Sequence, residues 1–290
     1  YFRHSKEARD IMRRWNREAY RWAAPLAEPH SELESRVLSD MYDAEVAYQD
    51  DYLGELLAAI HGRTRHDNTL TIIVADHGDG LGEHGYMGHA FVAYQELVHV
   101  PLIVNWPRRL PKATRIDTPV STRRVFHTIL DAVGRLPDMP NLDPVQIHSR
   151  TLMDTIHGRD PENGIVFTEI YPPMTFVRAI KKRQPELLEQ YRCLSTRRAV
   201  VRQTTADKTQ TTHKLIHVDD TADELFDLQA DPLENEDKLA ARPSTVATLN
   251  QDIKRIAANV DRQRQNLTAG AEIEINDNLI QRLRGLGYID

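Results

Sequence analysis

What the 290-residue chain lacks narrows it first. It contains one cysteine, Cys193, so no intrachain disulfide can form. That favours a reducing compartment while leaving open a periplasmic or secreted enzyme without bridges, and no localisation is assigned. No apolar run approaches the roughly 18 residues that cross a bilayer, so no membrane span is expected. Neither a G-x-S-x-G elbow nor a Walker loop occurs. Charge of one sign is not in large excess: 37 Lys and Arg against 43 Asp and Glu give a net charge of −6, and nothing calls for a nucleic-acid partner. The chain opens on Tyr1 with no initiator Met and no signal peptide, from which a fragment is expected. What is present is ample apolar content, 40%, enough for one large domain or two average ones.

The chain is organised around the stretch from Thr69 to Val104. Leu70 to Ala75 is a continuous β-branched apolar run, the pattern of a strand buried on both faces in a parallel sheet. It stops at Asp76-His77-Gly78, and Gly78, Gly80, Gly82 and Gly85 follow in a loop that also holds His84 and His89. Open α/β sheets bind ligands just beyond the carboxyl ends of their strands, so an acid and an imidazole there are placed for chemistry. A second buried-strand pattern runs from Val98 to Val104, with Pro101 marking an edge or a strand start. Three readings of the loop stand side by side. One is a turn whose histidines bond the backbone. Another is a dinucleotide loop, since Gly80-Leu81-Gly82-Glu83-His84-Gly85 fits G-x-G-x-x-G, although that fingerprint should open a helix directly after the strand. The last is a divalent metal held by Asp76 and His77, a pair that suits a hard or borderline cation but does not complete a site.

The order of residues here resembles the second metal-binding segment of the sulfatases of the alkaline phosphatase superfamily. The matching residues are Asp76-His77-Gly78, Gly82-Glu83-His84-Gly85, Gly88-His89, Tyr94-Gln95-Glu96 and His99-Val100-Pro101-Leu102-Ile103. The resemblance implies that Asp76 and His77 complete the coordination of one divalent cation, calcium foremost, with magnesium, manganese and zinc as alternatives. It implies that His89 stands where the family's Lys or His contacts the sulfate group; His84 also fits the pattern and is read as supporting the loop. A metal acts as a Lewis acid on a sulfuryl or phosphoryl oxygen, while a cationic side chain offsets the developing charge.

Along the rest of the chain a helical, partly basic segment is expected from Ser5 to Trp22, its Arg13, Arg14, Arg17 and Arg21 on a solvated face, broken by Pro25 and Pro29. A longer amphipathic helix, Ser31 to His61, carries Leu38, Met41, Val46, Leu53, Leu56 and Ile60 on one apolar stripe. A helix from Thr122 to Val133 ends at Gly134, a C-cap position. The prolines between Leu136 and Pro144 mark a linker, and Ile165 to Tyr171 reads as a strand. Beyond Lys181, Arg198–Arg202, His213–His217 and Glu224–Leu228 followed by Asp231-Pro232-Leu233-Glu234-Asn235 resemble the family's C-terminal antiparallel sheet. A helix from about Ser244 to Arg264 and an ending at Leu283–Ile289 complete the likeness. The implied fold is α/β, a mixed, largely parallel sheet flanked by helices over residues 1–160, with a smaller α+β subdomain over 161–290.

Sulfatases use a cysteine oxidised to formylglycine within C-x-P-S-R. Cys193-Leu194-Ser195-Thr196-Arg197 has the Cys and the Arg at that spacing, but Ser195 replaces the Pro and the segment follows the metal loop. Cys193 is therefore read as a small apolar residue. The basic residues Lys181, Lys182, Arg183, Arg192, Arg197, Arg198 and Arg202 are read as solvated surface before an anion site, and Asn266-Leu267-Thr268 as a chance sequon. No residue of this chain matches the nucleophile, the first pair of metal-binding aspartates or the groups that handle the leaving group. The expectation is the C-terminal part of a sulfuric ester hydrolase acting on a sulfated small molecule or glycan, inactive alone, with formylglycine in the missing N-terminal part. A phosphodiesterase or phosphonate monoester hydrolase of the same superfamily and a non-catalytic ligand-binding remnant are the alternatives.

Overall fold

A computed structural model describes residues 5–17, 19–64, 66–135, 151–206, 209–266 and 280–281. The expected linker at 136–144, the ending at 283–289 and two of the three sequon residues lie outside them. By its contacts the chain divides into two compact units, residues 1–250 and 251–290. None of the described helices is long and apolar enough to cross a membrane.

Helix α1 (Lys6–Arg17) buries Trp15 against α2 (Glu32–His61). Ser31 caps α2, its Oγ accepting from the Glu34 amide at 3.2 Å, which removes one of the four unpaired N–H groups of a helix start. The carboxylate of Glu34, three residues into the helix, turns outward and takes the Trp15 indole N–H at 2.8 Å and the Arg14 guanidinium at 2.5 Å. A capping sequence thus also staples α1 to α2. The apolar stripe expected along α2 is buried only at its start, where Val37 and Leu38 are covered. Val46 and Leu56 are more than half exposed, because no described element packs on that half of the helix.

Strand β1 (Thr71–Val74) leads into the loop that carries β2 (Gly80–Leu81), β3 (Met87–Gly88) and the one-turn helix α3 (Gln95–Val98), and the chain returns as β4 (Leu102–Asn105). β1 and β4 pair antiparallel, Thr71 opposite Asn105 and Val74 opposite Leu102, as a two-stranded ribbon whose residues are half buried or exposed. This corrects the expectation for Leu70–Ala75, a parallel strand covered on both faces. A parallel neighbour needs a full crossover, usually a helix, and here the connection is consumed by the loop, a small hairpin and one helical turn.

Helix α4 (Arg124–Ala132) ends with Gly134 at φ 71°, the left-handed cap expected there. Arg124 lies buried, bonded to Asp160 at 2.8 Å and to the Thr155 hydroxyl of α5 (Leu152–Ile156) at 2.8 Å. Strand β5 (Ile165–Ile170) then begins a four-stranded antiparallel sheet with β6 (Arg197–Ala206), β7 (Thr209–Val218) and β8 (Thr221–Asp227), in that order. Helices α6 (Met174–Arg183) and α7 (Glu186–Gln190) fill the β5–β6 connection, and α8 (Pro243–Asn266) follows the sheet. The E-L-F-D-L run falls on β8, and Asp231 closes the following turn, its Oδ2 accepting from the Glu236 amide at 2.8 Å. One buried cluster joins Tyr86, Phe91, Val92 and Leu97 from the β2–α3 segment to Val177, Ile180, Leu187 and Cys193. The loop that bears the candidate chemistry is therefore backed by core on its inner side.

Candidate active site

The Asp76-His77-Gly78-Asp79 turn leaves the carboxyl end of β1, and a hydrogen bond holds its backbone to α3: Gly78 N–H donates to Leu97 O at 2.8 Å. A Cβ on Gly78 would stand 2.0 Å from the Glu96 carbonyl oxygen, so the turn passes too close to that backbone for any other residue. Gly88 is equally constrained. Its φ is +74°, and an added Cβ would fall 1.5 Å from the Trp22 carbonyl oxygen. These two glycines bring His77 and His89 to the same place.

There the imidazoles stack, ring centroids 4.4 Å apart and planes 23° from parallel. His77 Nδ1 lies 2.9 Å from the Gly78 carbonyl, to which it can only donate, and its Nε2 is left with the lone pair. His89 Nδ1 lies 2.8 Å from Asp79 Oδ1. That hydrogen bond holds the His89 pKa above the ordinary imidazole range against the opposing pull of burial, with the charges of Asp79 and Asp76 adding to it. The far edge of His89 meets the Phe176 ring of α6 at 6.5 Å. Asp76 Oδ1 lies 3.8 Å from His77 Nε2. The Asp76 side chain is 90% exposed, and its Oδ1 accepts from the His77 amide at 3.0 Å. Of the sequence-derived site residues, the fold thus stacks His77 on His89 and sets the exposed Asp76 carboxylate beside His77. Asp79 was missed by sequence reading, although a carboxylate two residues after His77 in a glycine-rich loop was a visible signal.

As a calcium site the pair of Asp76 and His77 is partial. Calcium takes six to eight oxygens, and these two residues offer one carboxylate and one imidazole nitrogen, donors that fit a share of a shell.

His84, given a loop-supporting role from sequence, sits at φ 54° with both nitrogens engaged: Nδ1 with Glu96 Oε1 at 2.9 Å and Nε2 with the Glu234 carbonyl at 3.0 Å. Its ring stacks on Tyr94 at 3.8 Å. Burial pulls its pKa down, but Glu96 and Glu234 outweigh it and the net shift is upward. Glu234 also accepts from the Gln95 amide at 2.6 Å and pairs with Lys214 of β7 at 2.8 Å, both side chains fully buried. Burial pushes Lys214 down and Glu234 up. The D-P-L-E-N turn is therefore a clamp on the glycine-rich loop as well as a turn after a strand.

Cys193 is fully buried, its Sγ 3.6 Å from the Leu187 carbonyl, and burial raises its thiol to about 11. Arg197 bonds the Tyr191 carbonyl at 2.7 Å and the Tyr86 hydroxyl at 3.1 Å, so Cys193 and Arg197 are structural. The basic cluster is dispersed in the same way. Arg192 grips Asp223 through two bonds of 2.8 and 2.6 Å, Arg198 bonds Glu169 at 2.9 Å, and Arg183 covers the Tyr20 ring at 4.1 Å. A cavity of about 60 Å³ between Tyr86, Tyr94, Arg197 and Glu224 is too small for a sulfated sugar.

Comparison with known proteins gives this loop relatives. Residues 9–135 match the family model for sulfatases. Arylsulfatase K of Danio rerio is 27% identical over 141 residues, 49% of this chain and 26% of its own length. An N-acetylglucosamine-6-O-sulfatase of Bacteroides thetaiotaomicron is 34% identical over 94 residues, 32% of this chain and 16% of that one. The matches span about a quarter or less of these curated relatives. Among solved structures, a 2-O GAG sulfatase superposes with a TM-score of 0.53 over 88% of this chain and 49% of that one, at 19% identity, a likeness of fold. Residues 9–135 thus resemble the sulfatases in sequence, and the α/β fold of the chain is the one sulfatase structures show.

Proposed function

We propose that this chain contributes part of the active site of a sulfuric ester hydrolase acting on a sulfated glycan or small molecule. Asp76 and His77 take a share of a divalent cation, calcium foremost, and His89 donates from its ring to a sulfate oxygen. The observation that carries the reading is the contact of Asp79 with His89 beside His77, within the segment that matches the sulfatase family. A histidine whose pKa is held up by a carboxylate is cationic over more of the neutral range, and a fixed cation offsets the negative charge that grows on oxygen as the ester bond breaks. The cation, when bound, supplies Lewis-acid polarisation of the sulfuryl group. Sulfated glycans as substrates are suggested by the names of relatives such as the N-acetylglucosamine-6-O-sulfatase.

Cys193 is buried in the core behind the loop and is not the nucleophile of this reading. The 290 residues alone are therefore expected to leave 4-nitrophenyl sulfate intact. In a parent enzyme that contains this chain, His89→Ala is expected to lower kcat by about 10²- to 10³-fold, the size typical of removing one oxyanion donor. Turnover by the isolated chain that is lost in His89→Ala would overturn the division of labour. A parent enzyme indifferent to His89→Ala would overturn the role of the histidine.

A further inference from the structure

Three potential metal donors converge at the open end of the loop, and they are a different set from Asp76 and His77. His77 follows β1, Asp79 lies two residues on, and His89 returns from β3. One donor atom from each lies within 4.8 Å of the other two. Donors about 2.1 Å from a common ion in a tetrahedral shell stand ~3.4 Å apart, so a shift of about an ångström brings all three into one shell. The side chains are free to make it: His77, Asp79 and His89 are 45%, 34% and 42% exposed.

Local hydrogen bonding already favours ligation. His77 donates through Nδ1 to the Gly78 carbonyl, the backbone contact that commonly orients a metal-bound imidazole, and this leaves Nε2 as its donor atom. Asp79 faces His89 Nδ1 at 2.8 Å, and a cation can replace the proton that the two share, releasing it to solvent. Two imidazoles and one carboxylate match zinc or cobalt, whereas calcium requires an oxygen-rich shell. Asp76 is outside the group.

We infer that His77, Asp79 and His89 form a binding site for a borderline divalent cation of the zinc and cobalt class, and that filling it takes His77 from the Asp76–His77 pair and withdraws His89 from the sulfate group. The first half stands on the three side chains alone; the second rests on the sulfatase reading. Three protein ligands leave a fourth position for water or an anion, as in open zinc sites.

The test is a titration of the 290-residue chain with Co²⁺, followed by its visible d–d absorption, with and without inorganic sulfate. A saturable one-to-one band displaced by one equivalent of Zn²⁺ is expected. Asp79→Ala and His89→Ala should each weaken cobalt binding tenfold or more, while Asp76→Ala should change it less than twofold. Absence of a saturable band, equal affinity in wild type and Asp79→Ala, or an Asp76→Ala loss as large as that of Asp79→Ala would overturn the site. Zinc-edge X-ray absorption on the wild-type chain gives a check that needs no variant: two imidazole scatterers are expected, and one overturns the assignment. If cobalt binds as expected but sulfate leaves its affinity unchanged, the metal site stands and the competition with sulfate at His89 falls.

Discussion

The two sheets of the first unit are built to different standards. The β1–β4 ribbon has two strands, and Val74 and Ile103 are 38% and 55% exposed. The β5–β8 sheet has four antiparallel strands, with one register shift between Ile216 and His217 against β8 and with Val200, Leu215 and Leu225 fully covered. An isolated two-stranded ribbon is marginal in water, whereas several strands with a covered face are stable. Yet the residues with chemistry hang from the ribbon. The difference shows where the loop gets its order: Glu234 after β8 reaches Gln95, His84 and Lys214, so the stronger sheet holds the loop that the weaker one presents.

The largest effect should come from cutting that link. Glu234→Ala leaves the Lys214 ammonium buried without its partner and is expected to cost about 3–5 kcal/mol, read from the urea midpoint. A cost below ~1 kcal/mol would mean that the sheet does not hold the loop. Next comes the core of the sheet itself, where Leu215→Ala should lose about 2–5 kcal/mol in the same assay.

A smaller, pH-dependent effect is expected at His84. Its folded pKa lies above the unfolded value, so its contribution is complete below the ordinary imidazole pKa of about 6.5 and is lost as pH rises through the folded value. The gap in stability between wild type and His84→Asn should therefore narrow from pH 6 towards pH 8. A gap that widens over that range would assign the opposite sign and remove the ionic part of the clamp. The smallest effect belongs to the ribbon: Ile103→Ala should stay within about 0.5 kcal/mol, as for an exposed site. A loss matching that of Leu215→Ala would break the contrast between the sheets.

Elements whose signals are local were legible in advance. Ser31 opens the segment read as α2, Gly134 marks the end of α4, and the runs at Arg198–Arg202, His213–His217 and Glu224–Leu228 mark β6 to β8. The direction of β1 was not legible, because an apolar run of that length records burial without recording its neighbour. Burial along α2 misled for a related reason: periodicity names a face, while coverage depends on what packs there.

In the candidate site, His77 and His89 could be singled out from their order in the chain, and their stacking could not. That contact depends on Gly78 and Gly88 passing within touching distance of the Glu96 and Trp22 carbonyls, which are remote in sequence from at least one partner. Asp79 became informative only once it lay 2.8 Å from His89.

By itself the sequence determined the family-like order of ligand types, the caps and turns, and the strands of the larger sheet, since each is set by residues within a few positions of one another. Only the tertiary structure decided that Asp76 is outside the His77–Asp79–His89 group, that Cys193 is core, and that a buried Lys214–Glu234 pair braces the loop. Those are contacts between distant segments, and the energy that selects them, desolvation against hydrogen bonding and charge, exists only when the chain has closed around them.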